Sequence, residues 1–194
     1  IALKVRSLVG IIPLFAVETI EPETLSRLPR FGQALNDIFD KEPELAGLVS
    51  HWHEPGRGDR RLLSLLRGHR MKRLLHRMLD PGEFLSDYGI RSLSKAHETT
   101  PYIFEMAGHR YEIKYVPGES TNRMFGGNSN WRGPIWLPIN FLIIESLQKF
   151  HHYYGDDFKI EYPTGSGQYT TILEVAQHLS ERLVRLFQLD EHEQ

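Results

Sequence analysis

Apolar residues recur at helical spacing along most of the chain. The sharpest case is His69–Leu79, where Met71, Leu74, Leu75, Met78 and Leu79 fall at i, i+3, i+4, i+7 and i+8 before Asp80-Pro81-Gly82 closes the run. Pro134–Tyr154 is a second helix, with Leu137, Phe141, Ile144, Leu147 and Phe150 expected to face inward. Thr171–Leu189 is a third amphipathic helix, carrying Ile172, Val175, Leu179, Leu183, Leu186 and Phe187. Leu3–Thr19 reads as a helix apolar on most sides and kinked at Pro13, and Glu21-Pro22-Glu23 opens another that Pro29 must interrupt.

The period changes between Tyr102 and Tyr115. Tyr102–Met106, then Ala107-Gly108, then His109–Tyr115 has the layout of a hairpin. A long stretch rich in Gly, Asn and Ser follows over Val116–Gly133, and loops of that length in compact domains are usually functional or disordered. Its aromatics argue for order. Phe158–Tyr162 is a short extended piece, followed by the turn Pro163-Thr164-Gly165-Ser166-Gly167. The pattern predicts a mainly α chain with one small β-hairpin insertion.

Bulk properties narrow the chemistry. The 194 residues suffice for one core. A formal charge of −2 supplies no field for nucleic acid or an anionic membrane. No cysteine is present, which removes disulfides and thiol chemistry and fits a reducing, cytoplasmic compartment. The longest near-continuous apolar run, Leu8–Val17, is shorter than the roughly 20 residues of a bilayer span. The start at Ile1 has neither an initiator methionine nor a signal-peptide layout, so residues 1–194 are expected to be a single piece of something longer.

The strongest local signal is Phe125-Gly126-Gly127-Asn128-Ser129-Asn130-Trp131-Arg132-Gly133-Pro134-Ile135-Trp136. Sugars present a hydroxyl rim and an apolar C–H face, so their sites combine flat aromatics with planar polar groups such as Asn and Arg. This segment carries both. It reads equally as a structural loop whose tryptophans plug a core and whose arginine meets a carboxylate. A second polar-aromatic loop, Phe84–Ser94, offers Asp87, Tyr88 and Arg91 to a ligand, or is simply packed. Glu119 either positions a substrate hydroxyl or holds Arg132 in an ion pair.

Other chemistries find less support. The basic run Arg57–Arg77 suggests phosphate neutralisation, yet its apolar stripe explains it as a half-buried helix with a solvated basic face. The pairs His51/His53 and His151/His152, and His97 beside Glu98, lack the helical spacing of a zinc hydrolase, so no metal is expected. Neither a phosphate loop nor a Gly-x-Ser-x-Gly elbow occurs, and no cofactor is implied.

Tyr88–Ser94, Asn128–Trp136 with its Trp-Arg-Gly-Pro-x-Trp core, and Phe158–Gly167 together resemble glycoside hydrolase family 63. This family comprises the inverting α-glucosidases related to processing mannosyl-oligosaccharide glucosidase, and the likeness is nearest to its bacterial members. The resemblance implies part of an (α/α)6 toroid whose loops pocket a terminal sugar. It also implies two carboxylates roughly 6.5–9.5 Å apart, one protonating the leaving oxygen and one activating water. Asn130, Trp131, Arg132 and Trp136 are the expected sugar contacts, with Tyr88 and Arg91 after them. In the family the acid lies upstream of the Trp-Arg-Gly segment, and the base lies downstream between aromatics. This chain shows neither stretch, which leaves Glu119, Glu161 and Asp87 as local candidates outside the family's catalytic context. Ile160-Glu161-Tyr162 mimics the base motif, but Pro163-Thr164-Gly165 does not lead into the expected loop.

The expectation is therefore an α-glucosidase segment supplying sugar-binding loops, inactive alone, with an oligosaccharide or small glucoside as partner. Its rivals are a non-catalytic carbohydrate-binding or scaffolding domain and a nucleic-acid module built on Arg57–Arg77. An incomplete toroid leaves helix faces bare, so self-association is expected.

Overall fold

The computed structural model describes residues 4–49, 52–66, 68–117 and 133–188. Helices carry about half of them, and the chain is mainly α. The first apolar stretch departs from expectation. It forms a 3-10 helix, Leu8–Phe15, and then strand β1 (Val17–Ile20), in place of one long helix. Pro13 lacks the N–H that an α-helix needs in its interior, and β-branched Val17, Thr19 and Ile20 favour a strand. β1 pairs antiparallel with β2 (Arg61–Ser64), from Val17↔Ser64 to Ile20↔Arg61.

Between these strands lie α1 (Pro22–Arg27), α2 (Pro29–Lys41) and α3 (Pro43–Leu48). Each begins on a proline, whose missing N–H costs nothing in the first turn. They cap a small cluster of Ile20, Phe39 and Trp52. The Trp52 ring stands edge-on to Phe39 at 6.0 Å, and its Nε1 donates to Asn36 Oδ1 at 2.9 Å.

The predicted helix over 69–79 is α4 (Gly68–Met78), with Met71, Leu75 and Met78 fully buried. Each such side chain contributes about 1.5–3 kcal/mol by leaving water. A tight pair, β3 (Leu85–Ser86) and β4 (Gly89–Ile90), follows, then the short helix α5 (Ala96–Thr99). The predicted hairpin is β5 (Tyr102–Met106) with β6 (His109–Ile113), turning through Ala107 and Gly108 at positive φ. Next come α6 (Leu137–Tyr154), the pair β7 (Lys159–Glu161) and β8 (Tyr169–Thr171), and α7 (Ile172–Val184). Among the described residues there are thus four two-stranded antiparallel pairs, not one hairpin.

Helix α6 is the spine. Ile143, Leu147 and Phe150 are fully buried against α7, β1 and the 3-10 helix, in one core with Met71, Leu75 and Leu14. The expected inward positions Leu137 and Phe141 are instead exposed, Phe141 at 63%. The first turn buries a polar residue, Asn140, and this sets the helix phase. Leu186 and Phe187, expected on the apolar face of the last helix, lie beyond α7 in a 3-10 turn and face out.

Candidate functional site

The loop after β4 and the described residues that lead into α6, 133–136, are neighbours in space. After the β3–β4 turn, Ile90–Ser94 runs as a buried ribbon between two other stretches of chain. On one side Arg91 bridges antiparallel to Ile135. There Ser92 N–H donates to the Pro134 carbonyl at 2.8 Å, and Ser92 Oγ donates to the Gly133 carbonyl at 3.1 Å. On the other side Ser7 bridges to Leu93, and Leu8 N–H reaches the Ser92 carbonyl at 2.9 Å. Burying this backbone is tolerable because its polar groups are paired.

Asn140 locks the junction. Its Oδ1 accepts from Ile90 N–H at 2.7 Å, while its Nδ2 donates to the carbonyls of Ile90 at 3.0 Å and Trp136 at 3.1 Å. One amide thus joins β4 to the residue that opens α6. Gly89 makes the approach possible. Its φ is +119°, and an added Cβ would sit 2.8 Å from Leu183 Cδ2 and 2.9 Å from Asn140 Oδ1.

Sequence reading offered Arg91 to a ligand, but in the folded chain Arg91 is buried and braces the loop. Its Nη1 donates to the carbonyls of Leu85 and, at 3.1 Å, Pro81, and its Nε donates to Tyr115 Oη at 3.1 Å. Tyr88 is half exposed on the β3–β4 turn, where Ser86 Oγ accepts from its N–H at 3.2 Å. Trp136 is partly buried at the N-cap of α6. Tyr88 and Trp136 therefore flank one junction. Glu119, Asn130, Trp131 and Arg132 lie outside the described residues.

The remaining carboxylate candidates are engaged. Asp87 lies 3.3 Å from Arg182 Nη1, and the same nitrogen donates to the Ser86 carbonyl at 2.7 Å. Arg182 Nε also donates to Tyr162 Oη at 3.0 Å, so it ties the β3–β4 turn to the segment after β7. Glu161 Oε1 accepts from Gly167 N–H at 2.8 Å and closes the Pro163–Gly167 turn. The backbone N–H groups of Gly167 and Gly165 hold its carboxyl below the usual range, so it stays ionised at neutral pH. That state suits a proton acceptor and not a donor.

His97, His151 and His152 have local partners. His97 Nε2 accepts from Arg6 N–H at 3.0 Å, and its Nδ1 lies 3.1 Å from the Thr100 carbonyl. His152 pairs with Glu21, and His151 lies 3.5 Å from Asp156. Among the described residues no group of His, Asp or Glu is arranged to hold a metal. No helix there is long and apolar enough to cross a membrane. Asn140, Gly89 and Arg182 went unnoticed in sequence. The available signal was a polar residue at an inward position of an apolar helix, and a glycine inside a turn.

A little under a third of the way along the chain, at residue 61, a match to a known family begins and runs to residue 164. It is to the glycosyl hydrolase family 63 C-terminal domain, it covers just over half of the chain and both sides of the junction, and the chain belongs to this family. Membership connects it to glycoside hydrolysis. A yeast relative, "Uncharacterized protein YMR196W" of Saccharomyces cerevisiae (strain ATCC 204508 / S288c), is 48% identical over 193 residues. The alignment covers 99% of this chain but 18% of that relative, so the chain spans under a fifth of the relative's length. No solved structure matches.

Proposed function

We propose that the chain supplies sugar-holding loops to a glycoside hydrolase which, as the whole protein, cleaves α-glucosidic bonds with inversion. The observation that carries the reading is the Arg91↔Ile135 bridge. It sets the turn bearing Tyr88 beside the segment ending in Trp136, and both belong to the stretch matched by the family. Asn130, Trp131 and Arg132 lead directly into Gly133 of that junction, and their residue types fit the rim and face of a pyranose. Arg91 serves by holding the loop in place.

In this reading the helices are part of an (α/α)6 ring completed by other parts of the protein. The acid and base of the inverting pair stand roughly 6.5–9.5 Å apart. Asp87 and Glu161 are committed to Arg182 and to backbone amides, so the pair is drawn at least partly from outside this chain, with Glu119 the remaining local carboxylate. The substrate is an oligosaccharide or small glucoside, and the cysteine-free composition supports a cytoplasmic setting.

The test is hydrolysis by the full-length protein followed by proton NMR. α-Linked glucosides should release glucose first as the β-anomer. First appearance of the α-anomer would overturn inversion. Saturable sugar binding with no turnover would replace the enzyme with a carbohydrate-binding module.

A further inference from the structure

The basic stretch Arg57–Arg77 divides into two groups on folding. Arg57, Arg60 and Arg61 are taken up by Asp156, Glu21 and the His53 carbonyl, and Lys72 lies over the Phe158 ring at 4.8 Å. Arg73 and Arg77 instead join Arg6 around a cleft of about 320 Å³ between the N-terminal segment and α4. Ile11, Leu74, Met78 and Phe84 give the cleft an apolar lining.

Glu83 is the carboxylate paired with these arginines, 2.9 Å from Arg6 Nη1 and 3.8 Å from Arg77 Nη1. Three guanidinium charges against one carboxylate leave a formal +2. Guanidinium groups present paired planar donors that match phosphate oxygens, and a dianion balances the residual charge. The volume is that of a small-molecule site, with arginines for a charged head and apolar side chains for a ligand body. A nucleic-acid polymer would need a continued row of cations, whereas Arg57, Arg60, Arg61 and Lys72 are engaged elsewhere.

We propose that this cleft binds a small phosphate monoester, with its head on Arg6, Arg73 and Arg77 and its apolar body against Ile11, Leu74 and Met78. Phe84 connects the cleft to the loop junction, because its carbonyl accepts from Arg91 N–H at 2.8 Å. A bound ligand therefore sits one residue contact from the brace that sets Tyr88 and Trp136.

Calorimetric titration of the full chain with phenyl phosphate tests this. One saturable site is expected, with inorganic phosphate about tenfold weaker because the apolar wall stays bare. Arg73→Ala and Arg77→Ala should each weaken phenyl phosphate about tenfold, and Arg73→Lys should weaken it less, since charge is kept while the paired donors are lost. Arg110→Ala, on the β5–β6 hairpin, should leave binding unchanged, with circular dichroism confirming that every variant is folded. Absence of saturable binding would overturn the proposal. So would binding indifferent to both alanine substitutions, or inorganic phosphate binding as tightly as the phenyl ester. None of these outcomes depends on glycosidase activity.

Discussion

Asn140 grips both backbone polar groups of Ile90, accepting from its N–H at 2.7 Å and donating to its carbonyl at 3.0 Å. A side-chain amide thus acts as the strand partner of one buried residue, across 50 positions of chain. The amide is almost wholly buried, so its removal exposes nothing to water that could replace it. Asn140→Ala leaves two backbone groups unpaired at about 1–3 kcal/mol each, and a loss of about 2–6 kcal/mol is expected. Urea unfolding at neutral pH measures it. A loss under 1 kcal/mol would mean that the clamp is dispensable.

Gly89→Ala should cost about 1–3 kcal/mol, since φ of +119° is open to glycine and closed to alanine. The new methyl would also press on Asn140 Oδ1 and Leu183 Cδ2. Combining it with Asn140→Ala relieves one of those contacts, so the double variant should lose less than the sum of the single losses. Strict additivity in a double-mutant cycle would show that the two residues do not share the junction.

Local features of the fold were legible, and the junction was not. The apolar spacing of Met71, Leu75 and Met78 predicted α4 because a helix needs information only from its own turns. Ala107-Gly108 between aromatic strands announced the β5–β6 hairpin for the same reason. The bond from Ser92 to Pro134 has no local signature, since it depends on chain closure over a long loop. The two motifs were each visible, but their adjacency was not. Leu137 and Phe141 were misassigned because the stripe through Ile144 extends to them, while buried Asn140 turns the first helical turn the other way. Arg91 looked like a ligand contact because nothing in sequence revealed the carbonyls of Pro81 and Leu85 waiting for it.

Acid should weaken the fold partly through α7. Hydrogen bonds from the Thr170 hydroxyl, then from the N–H and hydroxyl of Thr171, hold the Glu174 carboxyl down to about 2. In the unfolded chain it titrates near the ordinary glutamate value of about 4.3. Its folded value is depressed, so its stabilising contribution is complete above the unfolded value and drains away as pH falls from there toward 2. Glu161, lowered by the Gly167 and Gly165 amides, acts with the same sign. Urea midpoints from pH 6 to pH 3 should fall less steeply in Glu174→Gln than in the parent sequence. An unchanged slope would remove the capping box from the acid response.

If the proposed sugar site holds, Tyr88, Trp131 and Trp136 should matter for turnover in the full-length protein. A lost stacking face is worth about 0.5–1.5 kcal/mol, and about tenfold in kcat/KM follows at the upper end. Trp131→Ala and Trp136→Ala are expected to reach that level on α-glucosides, with Tyr88→Ala at or below it. Arg91→Met should act differently, since Arg91 holds carbonyls of its own loop. Both its stability and its KM should suffer, whereas Tyr88→Ala, at a half-exposed turn, stays as stable as the parent. Unchanged kinetics in all four would separate the junction from the sugar site.

The isolated chain should self-associate. Leu137 and Phe141 at the start of α6, Val184 at the end of α7 and Phe187 in the 3-10 turn after it are exposed, with Phe187 at 76%. These two helix ends lie together, because an added Gly89 Cβ would touch both Asn140 and Leu183. α2 and α3 leave Leu28, Phe31, Ile38, Leu45 and Leu48 similarly bare. Apolar surface of this kind associates unless something covers it. Sedimentation velocity should give a weight-average mass that rises with concentration. Phe141→Glu with Phe187→Glu should lower that rise if the α6–α7 end is the contact, while Leu28→Glu with Leu48→Glu should lower it if the α2–α3 surface is. A strictly monomeric profile at high concentration would leave the bare helix faces without consequence.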